Sequence, residues 1–310
     1  MNRNLVVELF LLLVALIWAL NFSVVKFSLE EIDPMSFNSF RFALAIGFMY
    51  AALLRSGQTL TVHKGDWPRL IGLGLLGHLL YQSLFIFGIN FTFAANAAVM
   101  LGTIPVWIAV LGRIFFGLSL NRYAIAGVIA TFIGIFLIME GSETGITLSS
   151  ENIIGDIIIL CAAFVLGLYT LFTKNMLQRY TPIQFTMLMM LTGGAAVVLA
   201  GVPWLLTMDF AAVSPAAWAG TLYSGLLSIG MAFMVWSYGI RQVGAVRTST
   251  FQNLVPVFGL VFGVAILNEK LLFLQYIGSF FVITGIILAR KKTAAEKAQL
   301  KTQLAATRKS

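Results

Sequence analysis

Apolar runs long enough to cross a lipid bilayer recur along this chain, and they constrain its fold more than any other feature. A helical crossing needs about 20 such residues. Ten runs of that kind are read at roughly 5–26, 35–54, 69–88, 94–116, 123–140, 153–173, 183–205, 216–238, 247–267 and 271–289. Of the 310 residues, 59% are hydrophobic and only 10% charged, whereas a soluble globule carries charge on about a quarter of its residues. Lipid is therefore the expected solvent for most of the chain, and little sequence remains for a soluble domain. The runs are continuous, not alternating, which favours helices over a membrane barrel, since a helix satisfies its backbone groups within each segment. The first run lacks a small-x-small cleavage site and has a counterpart later in the chain, so it reads as a retained helix and not a signal peptide. The single cysteine, Cys161, builds neither a disulfide nor a thiolate metal site alone. No cofactor is expected.

The net charge of +8 could indicate a nucleic-acid partner, but its distribution points to the bilayer. With a cytoplasmic N-terminus, one side receives Arg3, Arg55, Lys64, Arg69, Arg113, Arg122, Lys174, Arg179, Arg241, Arg247 and the seven cations from Arg290 onward, 17 of the 20. The other side receives Lys26, Arg41 and Lys270 with nine of the twelve acids, among them Glu30, Glu31, Asp33, Asp156 and Glu269. This is the positive-inside pattern. It predicts two cytoplasmic termini, an even number of crossings and residence in the inner (plasma) membrane, with no nucleic-acid partner. The tail 291–310 reads as a basic cytoplasmic segment near anionic lipid.

Six of the seven prolines fall into pairs of nearly constant separation: Pro34 with Pro182, Pro68 with Pro215, and Pro105 with Pro256. Gly88-Ile89 matches Gly239-Ile240, Gly127 matches Gly278, and Gly134-Ile135 matches Gly285-Ile286, all 151 residues apart; Lys26 matches Lys174 at 148. The first two proline pairs stand where helices begin, a position that tolerates the missing N–H. Pro105 and Pro256 lie inside the fourth and ninth runs, where a kink is expected. An odd number of helices per half inverts the second half relative to the first. The chain thus reads as an all-α integral membrane protein of ten helices in two inverted five-helix repeats, 7–140 and 153–290, a plan that suits alternating access to a site at the interrupted helices.

The residues Trp18-Ala-Leu-Asn21-Phe-Ser-Val-Val-Lys26, Arg41-Phe42, Ala94-Ala95-Asn96-Ala97-Ala98 before Pro105, Gly244-Ala245-Val246-Arg247 before Pro256, and Asn268-Glu269-Lys270 occur in an order that resembles the EamA-type carriers of the drug/metabolite transporter superfamily. The resemblance spans roughly residues 7–290 and implies a central cavity lined mainly by helices 1, 3, 4, 6, 8 and 9, with export or exchange of small polar organics such as amino acids. One departure is Leu118, which stands where the first half would match Glu269. It removes from that half an acid whose expected role is anchoring a loop.

Candidate site residues follow from polarity at membrane depth. His78 and Tyr81 share one face of helix 3. His78 reads either as a functional imidazole, which could titrate near neutral pH and couple transport to protons, or as an interhelical hydrogen-bonding group. Asn21, Asn96, Thr103, Gln252 and Asn253 place amides and a hydroxyl along helix 1 and beside the kinked helices, where they suit a zwitterionic or hydroxylated substrate or hold helices together. Trp18, Trp107, Tyr169 and Trp236 are aromatic residues away from helix ends. The resemblance puts such rings in the cavity, where they can stack on a ring or a cation. Arg41 is expected to snorkel outward to Glu30, Glu31 and Asp33. Glu8 and Asp156 are expected to be solvated near helix ends, and Gly72, Gly74 and Gly77 with Gly127 and Thr131 to allow close packing.

An intramembrane enzyme would need a nucleophile–base pair or a metal set. The sequence has two histidines, His63 and His78, and no HExxH, GxSxG or P-loop pattern. A channel is disfavoured by the inverted repeat, and enzyme activity is not expected. The expected partners are a small-molecule substrate and the lipid bilayer; a homodimer is compatible with the sequence and not required by it.

Overall fold

A computed structural model of the chain describes residues 3–117, 121–141, 151–243, 251 and 254–289. In chain order the helices are α1 (Arg3–Ser28), α2 (Pro34–Arg55), α3 (Lys64–Phe91), α4 in two pieces (Ala94–Leu101 and Ile104–Phe116), α5 (Arg122–Glu140), α6 (Glu151–Arg179), α7 (Pro182–Thr207), α8 (from Pro215 to Val243), α9 (Leu254–Leu267) and α10 (Phe273–Ala289). No strand occurs among the described residues. Seven helices, α1 to α4 and α6 to α8, are long and apolar enough to cross a membrane, and α5, α9 and α10 contribute shorter apolar stretches. The sequence places the start of the ninth helix near residue 247, but 244–250 and 252–253 lie outside the described residues, as does the tail.

The helix starts follow local chemistry. Pro34, Pro182 and Pro215 open α2, α7 and α8, and Pro68 stands in the first turn of the α-helical part of α3. Ahead of three of them an oxygen-bearing side chain caps the free N–H groups: Asp33 accepts from Met35 and Ser36, Thr181 forms a capping box with Gln184, and Ser214 accepts from Ala217.

Three helices carry interruptions that hydrophobic periodicity does not announce. Leu75–Leu80 in α3, Met190–Gly194 in α7 and Tyr223–Met231 in α8 are wound as π-helix. Glycines in these segments let neighbours approach closely. A Cβ on Gly193 would collide with the carbonyl oxygen of Gly74, one on Gly77 with the Tyr169 ring, and one on Gly225 with the backbone of Arg41. Gly72, by contrast, faces open space, which corrects the packing role expected of it.

Among the contacts between the first five helices and the last five, two are built on small residues. Gly134 abuts the carbonyl oxygen of Gly278, and Gly285 abuts that of Gly127, so α5 and α10 run antiparallel against one another. Each contact joins a glycine of one helix to the repeat counterpart of the other glycine, the self-complementary pattern of a two-fold contact. Farther in, α4 crosses α9, with Ala98 at Gly259 and Ala95 at Gly263. The Pro256 ring sits against Gly102, where α4 breaks before Pro105 restarts it as the second residue of its lower piece. One apolar core cluster draws on α1 to α6 and α8 to α10 and another on α2, α7 and α8, whereas side chains such as Leu199, Leu206, Phe280 and Ile287 project outward, as a lipid-facing surface requires.

Candidate functional site

Trp18, Phe22 and Lys26 are spaced four residues apart on α1, and this stripe faces α3 and α8 at three successive levels. At the first level the rings of Trp18, Trp236, Phe233, His78, Tyr169 and Phe42 form a connected aromatic box. Ring centroids are 5.0 Å apart for Trp18 and Trp236, 5.5 Å for Trp18 and Phe233, 6.1 Å for Phe233 and His78, and 6.0 Å for His78 and Tyr169. The Trp18 indole donates to the Ser228 carbonyl at 3.0 Å, and the Tyr223 hydroxyl donates to the Ile17 carbonyl at 2.9 Å. Both tie α1 to the π segment of α8, the first through a backbone acceptor of that segment and the second through a backbone acceptor of α1. His78 is buried, and its Nδ1 has no hydrogen-bond partner. That nitrogen therefore does not serve as the interhelical glue considered from sequence.

At the second level Phe22 meets Phe85 edge to face, and Tyr81 lies beside the same ring. Arg41 reaches into this level from α2. It is 1% exposed, donates from Nη2 to Gln82 Oε1 at 3.3 Å, and stands over the rings of Phe37 and Phe85 at 5.5 and 5.7 Å. The expected outward snorkelling is overturned by this burial, and two of the three expected partners are engaged elsewhere: Asp33 caps α2, and Glu31 accepts from the Ser214 N–H and hydroxyl at 2.6 and 2.8 Å. Those bonds hold the Glu31 carboxyl below its ordinary value. Sequence reasoning missed Arg41 and Gln82 as site residues. The available signal was Gln82 four residues after His78, a second polar group on the same face of α3.

At the third level a polar clasp closes the turn between α3 and α4. Lys26 donates to the carbonyls of Ile89 and Asn90 at 3.1 and 2.8 Å, at the C-terminal end of α3, where the helix dipole favours a cation. Glu269 accepts from the N–H groups of Ala94 and Ala95 at 2.5 and 2.9 Å, where the opposite pole of α4 favours an anion. Between them Thr92 donates to Asp156 at 2.5 Å, and Gln275 donates to Asn96 at 3.4 Å. Asp156 is wholly buried, which corrects the expectation that it is solvated. Glu269 reaches this turn from the far half of the chain.

The other expected residues are placed as follows. Asn21 is buried one turn above Trp18, its oxygen unpartnered. The Thr103 hydroxyl is spent on the Met100 carbonyl at 2.6 Å at the break in α4. Trp107 packs edge to face on Phe132 and Phe164, between α5 and α6, and touches none of the box rings through a ring contact. Gln252 and Asn253 lie outside the described residues. At the opposite end from the clasp, Asp66 is held by Arg179 and by the Tyr180 hydroxyl. There a cavity of about 540 Å³, lined by residues including Phe10, Gln58, Thr181 and Tyr238, reaches Met234 and Val235, which lie between Phe233 and Trp236 in α8. No cluster able to hold a metal occurs among the described residues.

A bundle of apolar helices long enough to cross a membrane, with an aromatic and polar track running through it, suits an integral membrane transporter. The chain belongs to the EamA-like transporter family, whose model matches residues 5–140 and 153–290. It is 28% identical over 92% of its length to an uncharacterized transporter of Archaeoglobus fulgidus, of which 97% is covered. It is 26% identical to a probable terminal-alkyne amino-acid exporter of Streptantibioticus cattleyicolor (94% of this chain, 96% of that one). It is 24% identical to a probable amino-acid metabolite efflux pump of Escherichia coli K12 (89% and 92%). A solved structure titled as a crystal structure of a protein superposes with a TM-score of 0.63 at 16% identity, over 90% of this chain and 94% of that one, which shows a shared fold.

Proposed function

We propose that the protein is a secondary carrier of the inner membrane that exports or exchanges small polar metabolites, foremost amino acids and related compounds, by alternating access. In this reading ten helices cross the bilayer as two inverted five-helix repeats with both termini cytoplasmic. The reciprocal glycine contacts between α5 and α10 and the skewed distribution of cations support that plan. The single observation that carries the transport reading is the track itself. Its aromatic box lies between the Lys26–Asp156–Glu269 clasp at one end of the bundle and the Asp66–Arg179 contact at the other.

The proposed binding residues are Trp18, Asn21, His78, Tyr81, Tyr169 and Trp236 along α1, α3, α6 and α8, with Asn96 at the clasp. The amino-acid assignment draws support from two relatives whose names specify amino-acid substrates. Untargeted metabolite profiling of the medium of cells over-producing the protein tests the reading. Accumulation of one or a few small metabolites outside, absent from cells producing His78→Ala at equal level, is expected. An unchanged medium from cells with the protein correctly inserted contradicts export.

A further inference from the structure

The guanidinium of Arg41 is buried without a countercharge. Of its five N–H donors, one is spent on the neutral Gln82 amide, while Nε and Nη1 have no partner. The ion pair of Arg179 with Asp66 lies elsewhere in the bundle. The two aromatic faces soften the burial of a cation but accept no hydrogen bond of carboxylate strength. A guanidinium stays charged at neutral pH, and an uncompensated charge in a low-dielectric interior is among the costliest features a fold can retain. Inside a membrane such a residue marks a binding function.

The surroundings specify the missing partner. Asn38 lies one turn from Arg41 on the same face of α2, buried, and neither its oxygen nor its nitrogen has a partner. Phe42, the residue after Arg41, touches His78, and Gln82 follows His78 by four residues. The partly unpaired guanidinium therefore lies about one helical turn from the aromatic box. We propose that Arg41 binds the carboxylate of the transported molecule, with Asn38 offering an acceptor to its amine and the Trp18–Phe233–His78 box receiving an apolar or aromatic side chain. The ligand class is thus an α-amino acid with an apolar body. This rests on the carrier reading and adds to it the group that anchors the substrate.

The test measures binding of L-leucine, L-phenylalanine and L-tryptophan, each against its own carboxamide, to the full chain in lipid nanodiscs, with chloride and with gluconate as the buffer anion. At least one acid is expected to bind, its amide about 100-fold more weakly, and Arg41→Gln is expected to lose about the same factor. Arg41→Lys, which keeps charge without the planar fork, is expected to recover part of it. The proposal is overturned if none of the three acids binds, if amide and acid bind alike, if a monodisperse Arg41→Gln protein binds as the unaltered one does, or if chloride occupies the site and excludes the acid. The acid–amide comparison uses the unaltered protein, so it decides even if the variant does not fold. Transport of some other metabolite at an unchanged rate by Arg41→Gln removes the carboxylate anchor and leaves the carrier reading intact. Carboxylate binding without transport of any metabolite does the reverse.

Discussion

The carboxylate of Glu269 accepts hydrogen bonds from the backbone N–H groups of Ala94 and Ala95, and Ala94 is 175 residues away in sequence. Through this contact the loop between α9 and α10 caps the first turn of α4, a helix of the other half. Lys26 performs the complementary task at the end of α3. The turn that closes one end of the track is thus held by charges drawn from two distant segments, and neither charge belongs to the turn itself.

Replacing Glu269 by Gln keeps one acceptor and sets an NH₂ group against a backbone N–H. The loss of a charge-assisted bond of about 2 kcal/mol corresponds to roughly 30-fold faster local opening. Hydrogen–deuterium exchange of the peptide spanning Ala94 to Ala97 should accelerate by about that factor. Unchanged protection would show that the capping contact does not hold α4.

Lys26→Met removes two donors from carbonyls at the end of α3 and leaves the aliphatic stem. A loss of about 1–2 kcal/mol is expected, read as a lower midpoint in thermal unfolding of the detergent-solubilised protein. Lys26→Arg should retain most of the stability. A midpoint unaffected by the methionine would contradict the assignment.

Gly193→Ala forces a methyl group into the carbonyl of Gly74, backbone against backbone, where neither side has a flexible end to yield. A cost of about 1–3 kcal/mol is expected from overpacking. Gly72→Ala, on the same helix as Gly74 but with nothing within 4 Å of its Cβ, should be neutral or slightly stabilising. Equal effects of the two substitutions on thermal stability would overturn the α3–α7 packing.

Glu31 bonds Ser214 and so joins the α1–α2 connection to the start of α8. Its folded-state pKa lies below the ordinary 4.5, so its contribution to stability is complete above that value and is lost as pH falls through the lower value in the fold. The difference in unfolding midpoint between the unaltered protein and Glu31→Gln should be constant at neutral pH and vanish on strong acidification. A difference that grows instead with acidity would reverse the assignment.

Much of the fold was legible in the sequence because lipid makes long apolar runs unambiguous, and because paired prolines stand at helix starts where they cost nothing. The π segments were not. Glycines within them meet neighbours across the bundle, as Gly77 meets Tyr169, and hydrophobic periodicity carries no trace of that contact. The candidate site was legible in part. His78 was named from polarity at membrane depth, and Trp18, Tyr169 and Trp236 from depth together with the family resemblance; their rings do assemble in one box. Trp107 was named on the same grounds yet packs on Phe132 and Phe164. A single sequence does not say which face of α4 turns inward. Arg41 and Asp156 were misread for a common reason: closeness to a helix end suggests solvent, but here other helices overlie both side chains.

The central claim is that the α1–α3 track carries a substrate between the two sides of the membrane. Counterflow in liposomes containing the purified protein, preloaded with unlabelled amino acids and supplied with a labelled one, tests it most directly. The account predicts transient accumulation of label by the unaltered protein, a loss of at least about tenfold with Trp18→Ala or His78→Ala, and near-normal rates with Trp107→Ala. Counterflow that survives both box substitutions, or that Trp107→Ala alone abolishes, would contradict it.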